Sequence, residues 1–153
     1  MKQGRSSRTA EAAAALRAHH YLFAHDPIFA DAYAFEMTNN AWKRLLTLPL
    51  VNRIFNSPAL NRTLGLLTAQ VVGRSRYAED CLQQAIEKGI DQYVLVGAGL
   101  DSFALRLAQH YPDLKIFEVD HPDTQRLKIQ KLKQLGDICL LYTSDAADEE
   151  DSV

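Results

Sequence analysis

The residue pattern changes period at Asp91, and that change constrains the class of fold more than any other feature of the chain. Tyr93-Val94-Leu95-Val96 is a short, apolar, β-rich run of the kind a buried parallel strand requires. Gly97-Ala98-Gly99 follows it, and the next residues predict a helix over 102–110. Pro112-Asp113 turns the chain into Lys115-Ile116-Phe117-Glu118-Val119, a second strand. Asp120-His121-Pro122 ends that strand and opens a basic amphipathic helix over 124–135, closed by Gly136. Strand, glycine turn, helix, strand, helix is the opening of a doubly wound α/β domain.

Before Asp91 the signals are helical. Ser7 or Thr9 can cap a helix through the alanine-rich residues 12–18. Asp26-Pro27 reads as a helix start, with an acceptor at the cap and proline at the first helical position. Asn39 and Asn40 precede a capped helical stretch over 41–46 that ends before Pro49. Residues 52–67 are ambiguous, since Asn56-Ser57-Pro58 interrupts them and Gly65 weakens them. A long helix is expected over 68–88, closed by Gly89, with Val71, Val72, Ala78, Leu82, Ala85 and Ile86 approximating one face. Trp42, Phe29, Tyr33 and Phe35 are expected to pack this helical cap.

The 153 residues make one ordinary domain, and 47% hydrophobic with 24% charged residues excludes a disordered tail, a collagen-like repeat and a membrane protein. No apolar run reaches the roughly 18 residues of a spanning helix. Arg17 breaks the apolar stretch near the N-terminus, so no signal peptide is indicated. Cys81 and Cys139 form neither a disulfide framework nor a zinc site, and His19, His20 and His25 lack ligand spacing, so no metal and a cytoplasmic location are expected. The last residues differ in kind: Asp145, Asp148, Glu149, Glu150 and Asp151 are five acids with no base among them. Residues 139–149, CLLYTSDAADE, resemble the in-frame translation of a sequencing adapter, so 138–153 is expected to be a non-native tail. Without those five acids the formal charge of -2 becomes +3. Arg126, Lys128, Lys131 and Lys133 read as a charged helix face, and without interleaved aromatics they point to no nucleic-acid partner.

The chemistry-bearing residues sit at the ends of the two strands. A glycine turn lets a ligand approach the backbone with no Cβ in the way, near a helix N-terminus. Asp120 stands 21 residues after Gly99, the spacing at which an acid can accept hydrogen bonds from both hydroxyls of a ribose. Ser102 occupies the place of the third glycine in G-x-G-x-x-G, so a pyrophosphate would be held less well than a phosphate-free nucleoside. Such turns also serve packing alone, and these residues by themselves leave both readings open.

Residues 93–125, YVLVGAGLDSFALRLAQHYPDLKIFEVDHPDTQ, are more specific. They resemble the leucine carboxyl methyltransferase-like family of S-adenosylmethionine-dependent methyltransferases, with its LGAGLD(T/S)…R turn and FEVDhP strand end. Val96 stands for the family's frequent leucine and Ser102 for threonine. Thr9-Ala10 through Arg17-Ala18, His25-Asp26-Pro27-Ile28-Phe29 and Arg74-Ser75-Arg76-Tyr77 agree, so the resemblance covers roughly residues 8–135. It implies a Rossmann-like α/β methyltransferase fold, truncated after the second strand and its following helix and preceded by an α-helical N-terminal cap. The expected divisions are a cap over 1–89, the first β-α-β-α part of the cofactor domain over 90–137, and the tail over 138–153.

The resemblance also implies roles. Gly97, Ala98 and Gly99 lie against S-adenosyl-L-methionine; Asp120, with Glu118 as the lesser candidate, holds its ribose. Arg17 and Arg76 grip its methionine carboxylate, with Arg74 a neighbour, although solvated surface charge would also account for arginines here. Asp101 orients the turn or caps the following helix. The implied reaction is O-methylation of a small-molecule or protein carboxylate, or of a hydroxyl, away from any membrane. A carboxylate acceptor needs no strong base, whereas a phenol or alcohol does. The catalytic group and most of the acceptor pocket are expected beyond this chain. The other readings are half of an NAD(P)-binding Rossmann oxidoreductase and a non-catalytic helical interaction module. Two parallel strands make no stable isolated sheet, so the 153-residue chain is expected to be unstable and to bind cofactor weakly or not at all. Tight stoichiometric S-adenosylmethionine binding in isothermal titration would contradict that.

Overall fold

The computed structural model describes residues 8–55 and 57–135; the acidic stretch 138–153 and the expected caps Ser7 and Gly136 lie outside them. The element order is α1 (Arg8–Phe23), α2 (Ala34–Met37), α3 (Asn40–Thr47), α4 (Pro49–Phe55), α5 (Pro58–Glu87), β1 (Gln92–Val96), α6 (Phe103–Leu107), β2 (Lys115–Val119) and α7 (Pro122–Gln134), with a single 3₁₀ turn, Ala108–His110, after α6. The small side chains of α1 let neighbours approach closely, and Ala14, Ala15 and Ala18 are buried where α1 meets α2 and α5. The side chain of Asn39 accepts from the Trp42 N–H at 3.0 Å and starts α3, and the Glu11 carboxylate accepts from the Asn39 N–H at 3.0 Å.

The helix before the sheet is longer than expected: α5 has 30 residues and spans about 45 Å, absorbing Gly65 within it. A mid-helix glycine costs about 1 kcal/mol against alanine, which packing on α1 and α4 outweighs. At the other end Gly89 adopts φ 90° and allows the two bonds of a Schellman cap. Its N–H reaches the Ile86 carbonyl at 2.9 Å, and the Ile90 N–H reaches that of Ala85 at 3.1 Å.

One expected helix start fails. Asp26-Pro27 opens no helix, and the chain stays irregular until α2. Phe29 and Asp31 are both buried, and residues two apart on a helix face opposite sides. Irregular backbone lets both turn inward, Phe29 beneath the Arg106 guanidinium at 4.6 Å from the ring centre.

The two strands pair in parallel with Gln92 opposite Lys115 and Val96 opposite Val119. On one face Tyr93 and Leu95 join Leu82, Phe103, Ala104 and Ile116, with Tyr93 edge-on to Phe103 at 5.0 Å. The expectation of a fully buried first strand is corrected: Val94 is 54% and Val96 83% exposed, because no described element covers that face. A second cluster joins Ala14 of α1 and Met37 of α2 to Leu100 and to Leu132 of α7, so helical and strand-bearing segments share a core. Among the described residues, no helix is long and apolar enough to cross a membrane.

The basic helix is also less solvated than its sequence suggests. Lys128 is buried against Glu118 of β2, and Lys131 donates to the Thr38 carbonyl at 2.7 Å, with burial lowering its pKa. Burial pushes the Glu118 carboxyl above its ordinary 4.5 against the opposing pull of Lys128, and among the described residues Glu118 Oε1 has no hydrogen-bond partner. The folded chain therefore holds this proton more tightly than the unfolded chain, so its contribution to stability falls as pH rises above about 4.5. Thermal unfolding between about pH 4 and pH 7 is expected to show that decline flattened in Glu118→Gln. Lys128→Met alone is expected to cost about 3–5 kcal/mol in urea unfolding near pH 7, and the Glu118→Leu/Lys128→Met pair to recover most of it.

Candidate functional site

Parallel pairing sets the C-terminal ends of β1 and β2 side by side, so the turns that follow them meet. Gly97 and Ala98 donate their N–H groups to the Val119 carbonyl at 2.7 and 3.3 Å. Asp120 completes the junction: Oδ2 accepts from the Gly99 N–H at 2.5 Å and Oδ1 from the His121 N–H at 2.6 Å. Each oxygen keeps further lone-pair capacity for a ligand hydroxyl. Gly97 at φ 72° and Gly99 at φ 57° hold left-handed conformations that favour glycine. A Cβ on Gly97 would meet nothing within 4 Å, whereas one on Gly99 would lie 3.2 Å from Ala10 Cβ of α1.

These turns open into a cavity of about 710 Å³ walled by residues of α1, α5, β1 and the glycine turn. Gly97, Ala98, Gly99, Asp101 and Asp120 all line it, as does Arg17. Asp101 Oδ1 accepts from the Phe103 N–H at 2.7 Å and so caps α6. Arg17 is 6% exposed; its Nε donates to Asp31 Oδ2 at 2.8 Å and its Nη2 to the Leu100 carbonyl at 2.7 Å.

Two expected ligands are not brought here. Glu118 turns toward α7 and pairs with Lys128 instead of reaching the cavity. Arg76 lies on another flank of α5, its side chain 58% exposed and paired with Asp80 at 2.9 Å. Arg74 lines the cavity together with Val71, Ser75 and Ala78, which share its helical face. The apolar positions Val71 and Ala78 already carried that phase in the sequence, and two residues along a helix amount to a turn of about 200°.

Asp31 and Glu79 carry no sequence signal, and Arg106, the arginine of the LGAGLD(T/S)…R turn, was given no role. Arg106 grips Glu79 through both carboxylate oxygens, donates from Nε to Ser102 Oγ at 2.9 Å, and stands 3.7 Å from Asp31 Oδ1. Burial raises the Glu79 carboxyl while Arg106 pulls it down, and the Tyr93 hydroxyl is pushed up to about 12, first by burial and then by Asp101, Glu79 and Glu118. An arginine inside the apolar run Phe103–Leu107 is the one local hint of this cluster. Among the described residues, no group of three or more His, Cys, Asp or Glu is placed to hold a metal ion. The arrangement offers a cavity with acceptors for vicinal hydroxyls at Asp120 and a cation for an anion at Arg74.

The model of the family described as leucine carboxyl methyltransferase matches residues 10–139, which include nearly all of α1 and every later element. The chain belongs to the leucine carboxyl methyltransferase family. Among members and relatives, a putative S-adenosyl-L-methionine-dependent methyltransferase of Bacillus subtilis, YktD, is 32% identical over 147 residues, 87% of this chain and 48% of that protein. One from Streptomyces coelicolor is 33% identical over 112 residues, 71% of this chain and 37% of its own length. One from Parafrankia is 39% identical over 93 residues, 55% and 29% of the two chains. The chain thus spans about half or less of the curated relatives it matches.

In this family member the two glycines carry different constraints. Either Gly→Ala change costs about 1–2 kcal/mol for an L-residue in left-handed backbone. Gly99→Ala adds the contact with Ala10 and is expected to lower stability more than Gly97→Ala in urea unfolding, with Ala10→Gly recovering part of the difference.

Proposed function

We propose that this chain forms the cofactor-binding part of an S-adenosyl-L-methionine-dependent O-methyltransferase. The observation that carries the reading is the junction of the glycine turn with Asp120 at the C-terminal ends of two parallel strands. The residues fit the cofactor: Gly97 leaves open space where a Cβ would stand, and Asp120 keeps acceptor capacity on both oxygens. Gly97, Ala98 and Gly99 bring backbone against the adenosyl group, Asp120 accepts from the ribose hydroxyls, and Asp101 flanks the turn. Arg74 lines the cavity while Arg76 pairs with Asp80 outside it, which supports Arg74 as the cation that would grip the methionine carboxylate. The names of the relatives agree with this cofactor.

When bound, the sulfonium supplies an activated methyl group. The part of the chain is to fix that group and to present one side of it to an acceptor oxygen, a carboxylate or a hydroxyl. Exposed Val94 and Val96 line the same cavity and keep its wall apolar beside the polar turn.

The test is a titration of the 15N-labelled 153-residue chain with S-adenosylhomocysteine at up to millimolar concentration, which reads weak binding as well as tight. The Gly97 and Gly99 amides are expected to shift, and Asp120→Ala to weaken binding about ten- to a hundredfold. Preferential binding of NAD(P) over S-adenosylhomocysteine, or shifts that spare the Gly97 and Gly99 amides, overturns the reading.

A further inference from the structure

Arg17 lines the cavity with two of its donors committed inside the protein. Its Nε holds Asp31, which is fully buried, and its Nη2 holds the carbonyl of Leu100, itself 2% exposed and packed among Ala14, Met37 and Leu132. Asp31 in turn faces Arg106, and Arg106 closes on Glu79 of α5 and on Ser102 at the start of α6. Two guanidiniums and two carboxylates thus alternate across α1, the segment before α2, α6 and α5. Buried ion pairs bring little net stability once desolvation is counted, so their effect is better sought in geometry. Here the geometry concerns the glycine turn. Val119 at the end of β2 and Asp120 just after it fix its first half, and Ala10 of α1 leaves little room for a Cβ on Gly99. The Leu100 carbonyl, the next group along the turn, is fixed by Arg17 alone among the described side-chain donors.

We infer that Arg17 is a positioning residue: it sets the glycine turn through the Leu100 carbonyl, oriented by Asp31, and does not grip the methionine carboxylate. The inference rests on the methyltransferase reading only for the identity of the ligand. A planar guanidinium suits the task because it offers donors at a fixed angle to Asp31 and Leu100 together, which an ammonium does not.

Two ligands separate positioning from direct contact: S-adenosylhomocysteine, which carries the amino-acid carboxylate, and 5′-methylthioadenosine, which lacks it. In the full chain, Arg17→Gln is expected to weaken both by the same factor, about tenfold, leaving their affinity ratio within about twofold of the parent. The ligand-free spectrum of Arg17→Gln is expected to show displaced Gly99 and Asp101 amides with β2 amides in place, a signature that general destabilisation does not produce. Arg74→Ala is expected to weaken S-adenosylhomocysteine alone. Should Arg17→Gln not fold, Asp31→Asn keeps the shape of the partner, loosens the same guanidinium, and decides by the same two readouts. Loss of S-adenosylhomocysteine binding with 5′-methylthioadenosine unaffected makes Arg17 a ligand and overturns the inference. Unmoved turn amides overturn it as well. If the parent chain binds NAD(P) in preference to both ligands, the methyltransferase reading fails, while the ligand-free turn amides still decide whether Arg17 holds the turn.

Discussion

A carboxylate with no exposed surface cannot remain charged without cations at hand, and Asp31 is such a carboxylate. Arg17 meets it at 2.8 Å and Arg106 stands at 3.7 Å, and much of the structure follows from bringing these three groups together. The segment after α1 gives up helical geometry so that Asp31 and Phe29 can both face inward. Arg106 must project from α6 toward α5, which places Glu79 beside it and leaves Phe29 beneath its guanidinium. Arg17 reaches past Asp31 to the backbone that follows the glycine turn. The helical segment and the strand-bearing segment are joined by charge as well as by the apolar contacts of Ala14 and Met37 with Leu100 and Leu132.

The sheet is organised by a different constraint. Parallel neighbours bring the residues after each strand to one edge, and the pairing of Val96 with Val119 makes Asp120 the natural partner of Gly99. Because Asp120 bonds two backbone N–H groups, its carboxylate is oriented before any ligand arrives, so binding need not order it. The face bearing Tyr93 and Leu95 is packed, while Val94 and Val96 on the other face are exposed.

How much of this could be read from the sequence depended on whether a feature was decided locally. The second strand, Lys115–Val119, and the C-cap at Gly89 follow from a short run bounded by the turn signals Pro112-Asp113 and Asp120-His121-Pro122 and from one residue's freedom at positive φ, so both were legible. The juxtaposition of Gly97–Gly99 with Asp120 was legible because strand, turn and spacing together leave it little choice. Asp26-Pro27 carries a strong local start signal that a distant arginine overrides, and the solvated look of Lys128 ignores a glutamate on a strand beneath it. Arg74 and Arg76 differ only by helical phase, which the apolar positions of α5 encode but which motif matching passes over. Asp31, Glu79 and Arg106 come from separate segments, and nothing in the order of residues pairs them.

The irregular stretch between α1 and α2 has a consequence for how this chain can vary. Connections ordinarily tolerate inserted residues because they run over the surface. Here Ile28 is 57% exposed while Phe29, the next residue, and Asp31 are buried, so tolerance ends abruptly within a few positions. Lengthening the backbone after Phe29 would part the buried Asp31 from Arg17 and Arg106. Substitution within the link is therefore expected to be tolerated at exposed Ile28, Ala30 and Ala32 and costly at Phe29 and Asp31.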